Sequence, residues 1–395
     1  MSKINYKKIV SLPKIMRKRM VTIKQVETKK ELKQFIRFNY ELYKDNQYAV
    51  PEFYEDMLNT FSPKNAAMDF CDTVYFLAYK DGKIAGRIVG IVNHKANSIW
   101  NQKNVRFGWI DFIDDEEVSK ALLDAVAEWG RAKGMTQIHG PLGFTDNDPE
   151  GMLIEGFEEL STMTTIYNYP YYPQHMEKLG FEKDVDWIEM QLEAPRDGKM
   201  PERLTRMAEL LMKKFDFRIK KYKSIKKLAK EYGKEIFHVL NEAFKPLFGY
   251  NELNEKQIDQ YIKMYLPFID PKLVSLVTDA NGKLLAVGIS IPSFSRALQK
   301  AKGKLFPFGW WHMYRALKHP TTNIVDLLLV GVLPEYQNKG VNSLLFYDLL
   351  PIYMENGFEY AETHPELEYN HKVQQQWVYF ERRIHKRRRC FKKAL

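Results

Sequence analysis

The order of strand-like and helix-like segments in the first half of the chain returns in the second half, and this repeat constrains the fold strongly. Residues 21–26 alternate apolar and polar side chains as a half-buried strand does, and a helical pattern follows Thr28. Two strand patterns then flank a hairpin-type turn at residues 80–82, and a strand, a helix and a short strand come next. The second half gives a similar order around its own turn at residues 279–282. The pattern predicts an α/β fold in which each half has a mixed sheet flanked by helices.

A polar segment at residues 194–200 is the predicted linker between the halves, because it contains proline, glycine and charged residues. We therefore expect a basic N-terminal extension over residues 1–20, an N-terminal domain over 21–193 and a C-terminal domain over 201–395. A chain of 395 residues is long enough for two domains of ordinary size.

Positive charge is concentrated at the two ends of the chain. The net charge is +10, but residues 1–19 carry seven Lys or Arg and residues 382–395 carry eight more, so the body is mildly acidic. Nucleic-acid binding normally needs a basic face across the fold, and we expect none here. The basic ends are predicted to be either solvated tails or contacts for anionic lipid.

The two cysteines, Cys71 and Cys390, lie far apart in the sequence and show neither metal-ligand spacing nor a disulfide framework. No apolar run reaches the roughly 18 residues that span a bilayer, and the N-terminal segment lacks the apolar centre of a signal peptide. We therefore expect no metal, and a cytoplasmic protein that can lie peripherally at the inner face of the membrane.

Residues 325–350 carry the strongest local signal for chemistry. An apolar strand runs into Pro334, a turn with Gly340 follows, and an apolar helix comes next. Backbone N–H groups at such a turn and helix start, together with the helix dipole, can cradle a pyrophosphate. Gly340 would let the backbone approach a phosphate, and Lys339 would add positive charge. An ordinary strand-to-helix turn has the same pattern.

The pattern Gln337-x-x-Gly340-x-Asn342 resembles the pyrophosphate loop of the GCN5-related N-acetyltransferase (GNAT) superfamily, whose usual form is Gln/Arg-x-x-Gly-x-Gly/Ala. Asn342 departs from that form. The resemblance implies tandem GNAT-like acyltransferase domains, with coenzyme A lying along the strand before the loop and acetyl-CoA or a longer acyl-CoA as the donor. The coenzyme-binding positions that it implies are Val330, Val332, Gln337, Asn338, Lys339, Gly340, Val341 and Asn342.

Several separated motifs between about residues 21 and 393 resemble the YghO-type proteins, a family that includes the bacterial ceramide synthases. The motifs include Gly86-Arg87-Ile88, His139-Gly140-Pro141, Gly151-Met152-Leu153-Ile154-Glu155-Gly156-Phe157, Tyr167-Asn168-Tyr169-Pro170-Tyr171-Tyr172, and Glu362, Glu368 and Asn370 with Lys386-Arg387-Arg388. The resemblance adds Asn370 to the coenzyme-binding positions. It implies transfer of a fatty acyl group from a thioester to the amine of a sphingoid base.

Such a transfer asks little of the protein, because a thioester is already activated. The attacking amine must be neutral, so a base or a water chain has to accept a proton, and the leaving thiolate needs a proton. Glu362 and Glu368 are the candidate bases, with His364 as a third, and Tyr379 is the candidate acid. Either glutamate could instead be a surface carboxylate or a partner in a structural ion pair with the C-terminal arginines.

The first half carries Asp114-Asp115-Glu116-Glu117 where a phosphate loop would lie. Four carboxylates repel a pyrophosphate, so we expect this half to have a degenerate coenzyme loop. Its polar residues are predicted either to bind a small-molecule or lipid amine acceptor or to form a structured Asx-type turn. The acceptor-site candidates are Asn147, Asp148, Glu155, Tyr167, Asn168 and Tyr171.

A bulky aromatic segment at residues 305–314 is predicted to hold an acyl chain, to press on a membrane, or to pack in the core. Together these features favour an acyl-CoA-dependent N-acyltransferase for a lipid-like amine such as a sphingoid base. One alternative is a short-chain N-acetyltransferase for a small soluble amine. Another is a non-catalytic GNAT-fold binding protein, which the altered loop position Asn342 would allow.

Overall fold

A computed structural model describes residues 20–319 and 322–395, so all of the predicted basic extension over residues 1–20 except Met20 lies outside the described residues. The strands are β1 (Thr22–Gln25), β2 (Cys71–Lys80), β3 (Lys83–Asn93), β4 (Asn104–Phe112), β5 (Gln137–Gly140), β6 (Met152–Glu155), β7 (Glu182–Glu193), β8 (Arg218–Lys220), β9 (Val274–Thr278), β10 (Leu284–Pro292), β11 (Ile324–Val332), β12 (Tyr360–Thr363), β13 (Glu366–Leu367) and β14 (Arg382–Ala394). The helices are α1 (Lys29–Leu42), α2 (Tyr54–Thr60), α3 (His94–Ile99), α4 (Glu116–Ala132), α5 (Tyr171–Lys178), α6 (Glu202–Phe215), α7 (Ile225–Phe244), α8 (Glu255–Tyr265), α9 (Ser295–Ala301), α10 (Gly309–Lys318), α11 (Asn342–Glu355) and α12 (His371–Gln374).

Helix α1 begins where its sequence predicts, because Thr28 and Glu31 form a capping box. The Thr28 hydroxyl accepts from the Glu31 N–H at 3.2 Å, and the Glu31 carboxylate accepts from the Thr28 N–H at 3.0 Å. Both contacts satisfy N–H groups that a helix start leaves unpaired. The helix then buries Phe35 and Ile36 against the sheet.

The strands form one mixed sheet, which confirms the predicted fold class. The strand order is β1-β2-β3-β4-β5-β14-β7-β12-β11-β10-β9-β8, with β6 paired to β14 and β13 paired to β7. Pairing is parallel between β4 and β5 and between β11 and β12, and antiparallel between the other partners. Each half thus contributes one parallel pair inside an otherwise antiparallel sheet.

The two halves exchange strands at the middle of the sheet. Strand β14, the last in the chain, lies between β5 and β7 of the first half. Strand β7 in turn pairs with β12 of the second half through its other edge. The polar segment 194–200 does lie between β7 and α6, but the sheet continues across it. The division into domains at that segment stays a prediction.

The basic C-terminal end is part of the sheet, so the prediction of a solvated or lipid-binding tail at residues 382–395 is wrong. Lys386 and Arg388 point to one face of β14 and are 1% and 0% exposed. Glu189 on β7 pairs with both, at 3.0 Å from the Lys386 Nζ and 2.5 Å from the Arg388 Nε. Arg389, on the opposite face, pairs with Asp186 at 2.8 Å. Successive side chains of a strand point to opposite faces of the sheet. Glu189 and Asp186 therefore lie on opposite faces of β7, and each neutralises the cations of β14 on its own face.

Helices cover the sheet and enclose the apolar core of each half. In the first half α4 buries Val118, Leu122 and Val126, and in the second half α11 buries Leu344 and Leu345. The segment after β13 forms only one short turn of α-helix, α12, followed by a 3₁₀ helix over Gln375–Tyr379. In the part of the chain that is described, no helix combines the length and apolarity needed to cross a bilayer.

Candidate functional site

The parallel strands β11 and β12 separate partway along β11 and leave a gap in the second half of the sheet. They pair only over residues 324–327 and 360–363. Strand β11 stays paired with β10 as far as Val332, with a bulge at Leu328, which has no partner between Ile289 and Ser290. A bulge bends the strand that carries it. The edge of residues 328–332 that faces the gap therefore offers main-chain groups that β12 does not use.

A cavity of about 380 Å³ opens at this gap, and both halves of the chain line it. Its apolar wall comes mostly from the helices α7 and α8 and from β11, and its polar wall mostly from first-half loops and the segment after β12. The residues that define these walls are Leu228, Ile236, Phe237, Phe244, Phe268, residues 327–330, Glu52, Asp56, Trp109, residues 146–150, residues 363–367 and Asn370. A volume of this size is within the range of small-ligand pockets.

The corresponding gap of the first half is closed by its own chain. Strands β4 and β5 pair over residues 104–106 and 137–139, after which Leu142 donates its N–H to the Phe107 carbonyl at 2.9 Å. A Cβ atom on Gly108 would lie 2.4 Å from the Leu142 carbonyl oxygen, so the loop sits directly on β4. At the helix start, the Asp115 carboxylate accepts from the N–H groups of Glu117 and Val118. Asp115 thus occupies the place that a bound anion would take at this helix start, and the degenerate coenzyme loop of the first half stays a prediction.

The loop between β11 and α11 presents free N–H groups beyond the end of the gap. Residues 334–339 form a 3₁₀ helix, Gly340 has a left-handed φ of 75°, and α11 starts at Asn342. Outside the regular helices and strands of the described residues, the N–H groups of Gly340, Val341 and Asn342 donate no hydrogen bond to the protein. Asn338 and Lys339 are exposed, and the Gln337 side chain donates to the Val332 carbonyl at 3.2 Å. Such a turn suits a phosphate.

The cavity is acidic. Six carboxyl groups line it and, within the described ranges, no lysine or arginine does: Glu52, Asp56, Asp146, Asp148, Glu150 and Glu366. Burial raises the pKa of Asp146 and Asp148 to about 6 and that of Glu52 to about 7. A group that brings positive charge into the cavity would relieve the cost of ionising these acids.

Glu366, the first residue of β13, is the carboxyl group best placed for proton transfer. Its Oε1 accepts from the Trp377 indole N–H at 2.8 Å, and its Oε2 is buried and meets no partner among the described residues. Burial raises the pKa of Glu366 to about 8. Burial also lowers the pKa of nearby His364 to about 4, so that imidazole is neutral at pH 7. A carboxyl group with a pKa near the working pH can both accept and return a proton.

No protein-family model matches the sequence. YghO of Escherichia coli (strain K12) is 26% identical over 325 residues, which is 80% of this chain and 80% of that protein. Bacterial ceramide synthase of Caulobacter vibrioides is 26% identical over 332 residues, 81% of this chain and 82% of that protein. The predicted resemblance to YghO-type proteins is confirmed.

Solved structures also superpose on nearly the whole chain. A tandem GNAT protein from the clavulanic acid biosynthesis pathway superposes with a TM-score of 0.53 at 10% identity, covering 95% of this chain and 98% of that one. This chain has the tandem GNAT fold. A GCN5-related N-acetyltransferase from Sphaerobacter thermophilus gives a TM-score of 0.50 at 11% identity, covering 97% of both chains.

Of the four residues predicted for catalysis, His364 lines the cavity, whereas Glu362, Glu368 and Tyr379 do not. Glu362 is buried on β12 and pairs with Lys386 at 3.4 Å. Glu368 forms ion pairs with Lys183 and Arg387. Tyr379 lies in the 3₁₀ helix after α12. The catalytic roles of these residues stay predictions. The ion pairs of the two glutamates correspond to the other possibility named from the sequence, a structural ion pair with basic residues near the C-terminus.

Four of the predicted binding residues line the cavity: Asn147, Asp148, Val330 and Asn370. Asp148 also accepts from the Thr145 N–H at 2.8 Å, so it shapes an Asx-type turn as well. The other acceptor-site candidates lie elsewhere in the GNAT fold and tie down loops: Glu155 pairs with Arg387, Tyr167 donates to the Phe157 carbonyl, Asn168 bonds the Leu153 main chain, and Tyr171 donates to the Phe112 carbonyl.

Sequence reasoning missed Glu366 and most of the acidic lining. The run from His364 to Glu368 contains two glutamates, and nothing local distinguishes the one that faces the cavity. Tertiary folding also brings the side chains of His139, Asp184 and Cys390 within 4.8 Å of one another, which their sequence spacing did not suggest. Burial raises the pKa of the Cys390 thiol and so opposes the thiolate form that binds metals.

Proposed function

We propose that this protein is an acyl-CoA-dependent N-acyltransferase that acts on a primary amine of lipid-like character. The observation that carries the proposal is the cavity at the separation of β11 and β12. It is acidic on one wall and apolar on the other, and it lies along the strand that leads to the loop with free N–H groups.

The donor is proposed to lie along β11. Its pyrophosphate would sit at the N–H groups of Gly340, Val341 and Asn342, with Lys339 nearby as a cation. Asparagine in place of a small residue leaves these three main-chain donors available. The pantetheine arm would follow the open edge of residues 328–332, where the unpaired main-chain groups can bond its amides. The thioester then reaches the cavity, which Val330 also lines.

The acceptor is proposed to enter as an ammonium ion attracted by the acidic wall. Its hydrocarbon part would contact apolar side chains of α7, such as Ile236, Phe237 and Phe244. A cation joined to a chain is the chemistry of a sphingoid base, and one relative bears the name bacterial ceramide synthase. Since such an amine resides in membranes, we expect peripheral contact with an anionic membrane.

Glu366 is the proposed base. Its ionised carboxylate takes a proton from the ammonium group, and the neutral nitrogen attacks the thioester carbonyl carbon. The C–N bond forms, the C–S bond breaks, and coenzyme A leaves as a thiolate. The protonated Glu366 gives its proton to this thiolate, and the second amine proton is released to solvent, so the products are the amide, the free thiol and the ionised carboxylate. Main-chain N–H groups on the open edge of β11 are the proposed donors to the carbonyl oxygen as it gains charge.

Purified protein should consume long-chain acyl-CoA in the presence of a sphingoid base and release free thiol. Thiol release is followed across acyl lengths from acetyl to palmitoyl, with a small soluble diamine as the matched acceptor. A strict preference for acetyl-CoA and the soluble amine would refute the lipid-like acceptor. Absence of thiol release with every pair, while acyl-CoA still binds, would instead favour a non-catalytic binding protein.

A further inference from the structure

The segment 295–319, here called the aromatic hairpin, exposes five large aromatic side chains. It comprises α9, α10 and the loop that joins them. Phe306 and Phe308 are 73% exposed, and Trp310, Trp311 and Tyr314 are about 50% exposed. In the part of the chain that the structure describes, none of these five side chains lines the cavity. The structure therefore does not support the predicted acyl-chain site at residues 305–314. An apolar surface of this kind on a protein usually marks an interaction site.

The opposite side of the aromatic hairpin is firmly packed, so the exposed rings stand on a fixed support. Leu298, Met313 and Ala316 are buried in one apolar cluster with Phe53 and Phe294. Phe53 also lines the cavity. One apolar cluster therefore connects the hairpin to the cavity wall.

Charge accompanies the aromatic rings. The aromatic hairpin contains six cationic residues and no Asp or Glu. All six are exposed, and none forms a salt bridge with any residue in the described ranges: Arg296, Lys300, Lys302, Lys304, Arg315 and Lys318. Some exposed lysines elsewhere in the described chain do pair with acids, as Lys234 does with Glu255.

We propose that the aromatic hairpin docks this protein onto an anionic lipid bilayer. Tryptophan and other aromatic rings favour the boundary between headgroups and acyl chains. Lysine and arginine beside them gain from the negative surface potential of the bilayer. A second copy of the chain fits poorly, because a symmetric contact would bring two sets of six unpaired cations together.

Docking at this surface would bring the cavity close to the membrane, since the hairpin and the cavity share part of their apolar wall. A lipid amine could then pass from the bilayer to the cavity over a short distance. This consequence rests on the proposed function, whereas the docking itself does not. Vesicle binding is therefore measured without acyl-CoA and without an amine substrate.

Full-length protein is sedimented with vesicles of phosphatidylglycerol and phosphatidylethanolamine, and with vesicles of phosphatidylcholine alone. We expect binding to the anionic vesicles, weaker binding to the neutral ones, and loss of binding as salt is raised. Trp310→Ser with Trp311→Ser should weaken anionic-vesicle binding about 10-fold or more. Lys302→Glu with Lys304→Glu should remove the preference for anionic lipid.

Matched controls remove similar groups elsewhere. Ile99→Ser with Leu210→Ser deletes two apolar side chains of 55% and 58% exposure, and Lys226→Glu with Lys230→Glu reverses two exposed cations on α7. Both controls should bind within about twofold of the wild type. Melting temperatures establish that every variant is folded.

Failure of the wild type to bind anionic vesicles would overturn the proposal. Equal binding by the wild type and the Trp310→Ser, Trp311→Ser variant would do the same. A dimer seen by sedimentation velocity without vesicles, and abolished by that double variant, would assign the surface to a second copy instead.

Discussion

Replacing Glu366 with glutamine removes the proposed base while leaving its surroundings nearly unchanged. The amide oxygen can still accept from the Trp377 indole N–H, and the side chain keeps its size. Loss of a general base typically lowers turnover by about 100-fold or more. We therefore expect kcat of Glu366→Gln to fall by about that factor, with little change in KM for acyl-CoA.

The pH dependence follows from the same carboxyl group. Because the pKa of Glu366 in the folded protein is about 8, the base form accumulates as pH rises from 7 to 9, and wild-type kcat should rise over that interval. Glu366→Gln should lose this rise. The assay is thiol release at saturating acyl-CoA, measured from pH 6 to pH 9.5.

Stability provides a second measurement that does not need substrate. Burial raises the pKa of Glu366 from 4.5 to about 8, so its protonated form favours folding. The corresponding stability is present below pH 4.5 and is lost as pH rises through about 8. The full shift corresponds to roughly 5 kcal/mol as an upper limit. Compared with the wild type, Glu366→Gln should therefore gain in relative stability between pH 5 and pH 9, which urea unfolding can measure.

Glu368→Gln is the matched control, because Glu368 lies two residues away and forms partly exposed ion pairs. It should keep near wild-type turnover. Full activity of Glu366→Gln with an unchanged pH profile would refute the assignment of the base. A large loss in Glu362→Gln or Glu368→Gln alone would return the role to those residues.

Two further predictions concern the loop and the buried ion pairs. Gly340→Ala should raise KM for acyl-CoA about 10-fold, because Gly340 has φ of 75° beside the proposed phosphate site. The control is Gly357→Ala, at φ of 74° with open space around it, which should cost similar stability and leave KM unchanged. Equal KM values for the two variants would exclude the loop from coenzyme binding. Lys386→Met should lower the free energy of unfolding by about 3 kcal/mol in urea, because Glu189 and Glu362 lose a buried cation, and a loss below about 1 kcal/mol would contradict this account.

Features that depend on neighbours in the sequence were predicted well. The hairpin-type turn predicted at residues 80–82 joins β2, which ends at Lys80, to β3, which begins at Lys83. Pro334 marks the end of β11, and α11 starts at Asn342 as the pattern of the loop predicts. The repeated order of elements was enough to indicate two similar α/β units. Hydrophobic period and turn chemistry are local properties, so a single sequence contains them.

Features that depend on distant parts of the chain were predicted badly. The basic residues 382–394 look like a tail, and only pairing with β7 shows that carboxylates about 200 residues away neutralise them. Nothing in the local sequence distinguishes Glu366 from Glu368. Only the tertiary structure places Glu366 beside the Trp377 indole and Glu368 in an ion pair with Lys183.

By itself, the sequence determined the α/β class, the doubled order of elements and the loop at residues 337–342, since each is set by residues close together in the chain. Only the tertiary structure decided which gap stays open. Leu142 closes the gap of the first half, and the separation of β11 and β12 leaves that of the second half open. It also decided that both halves share one acidic cavity. Strand pairing and burial join residues hundreds of positions apart, and the pKa of a carboxyl group depends on the burial that results.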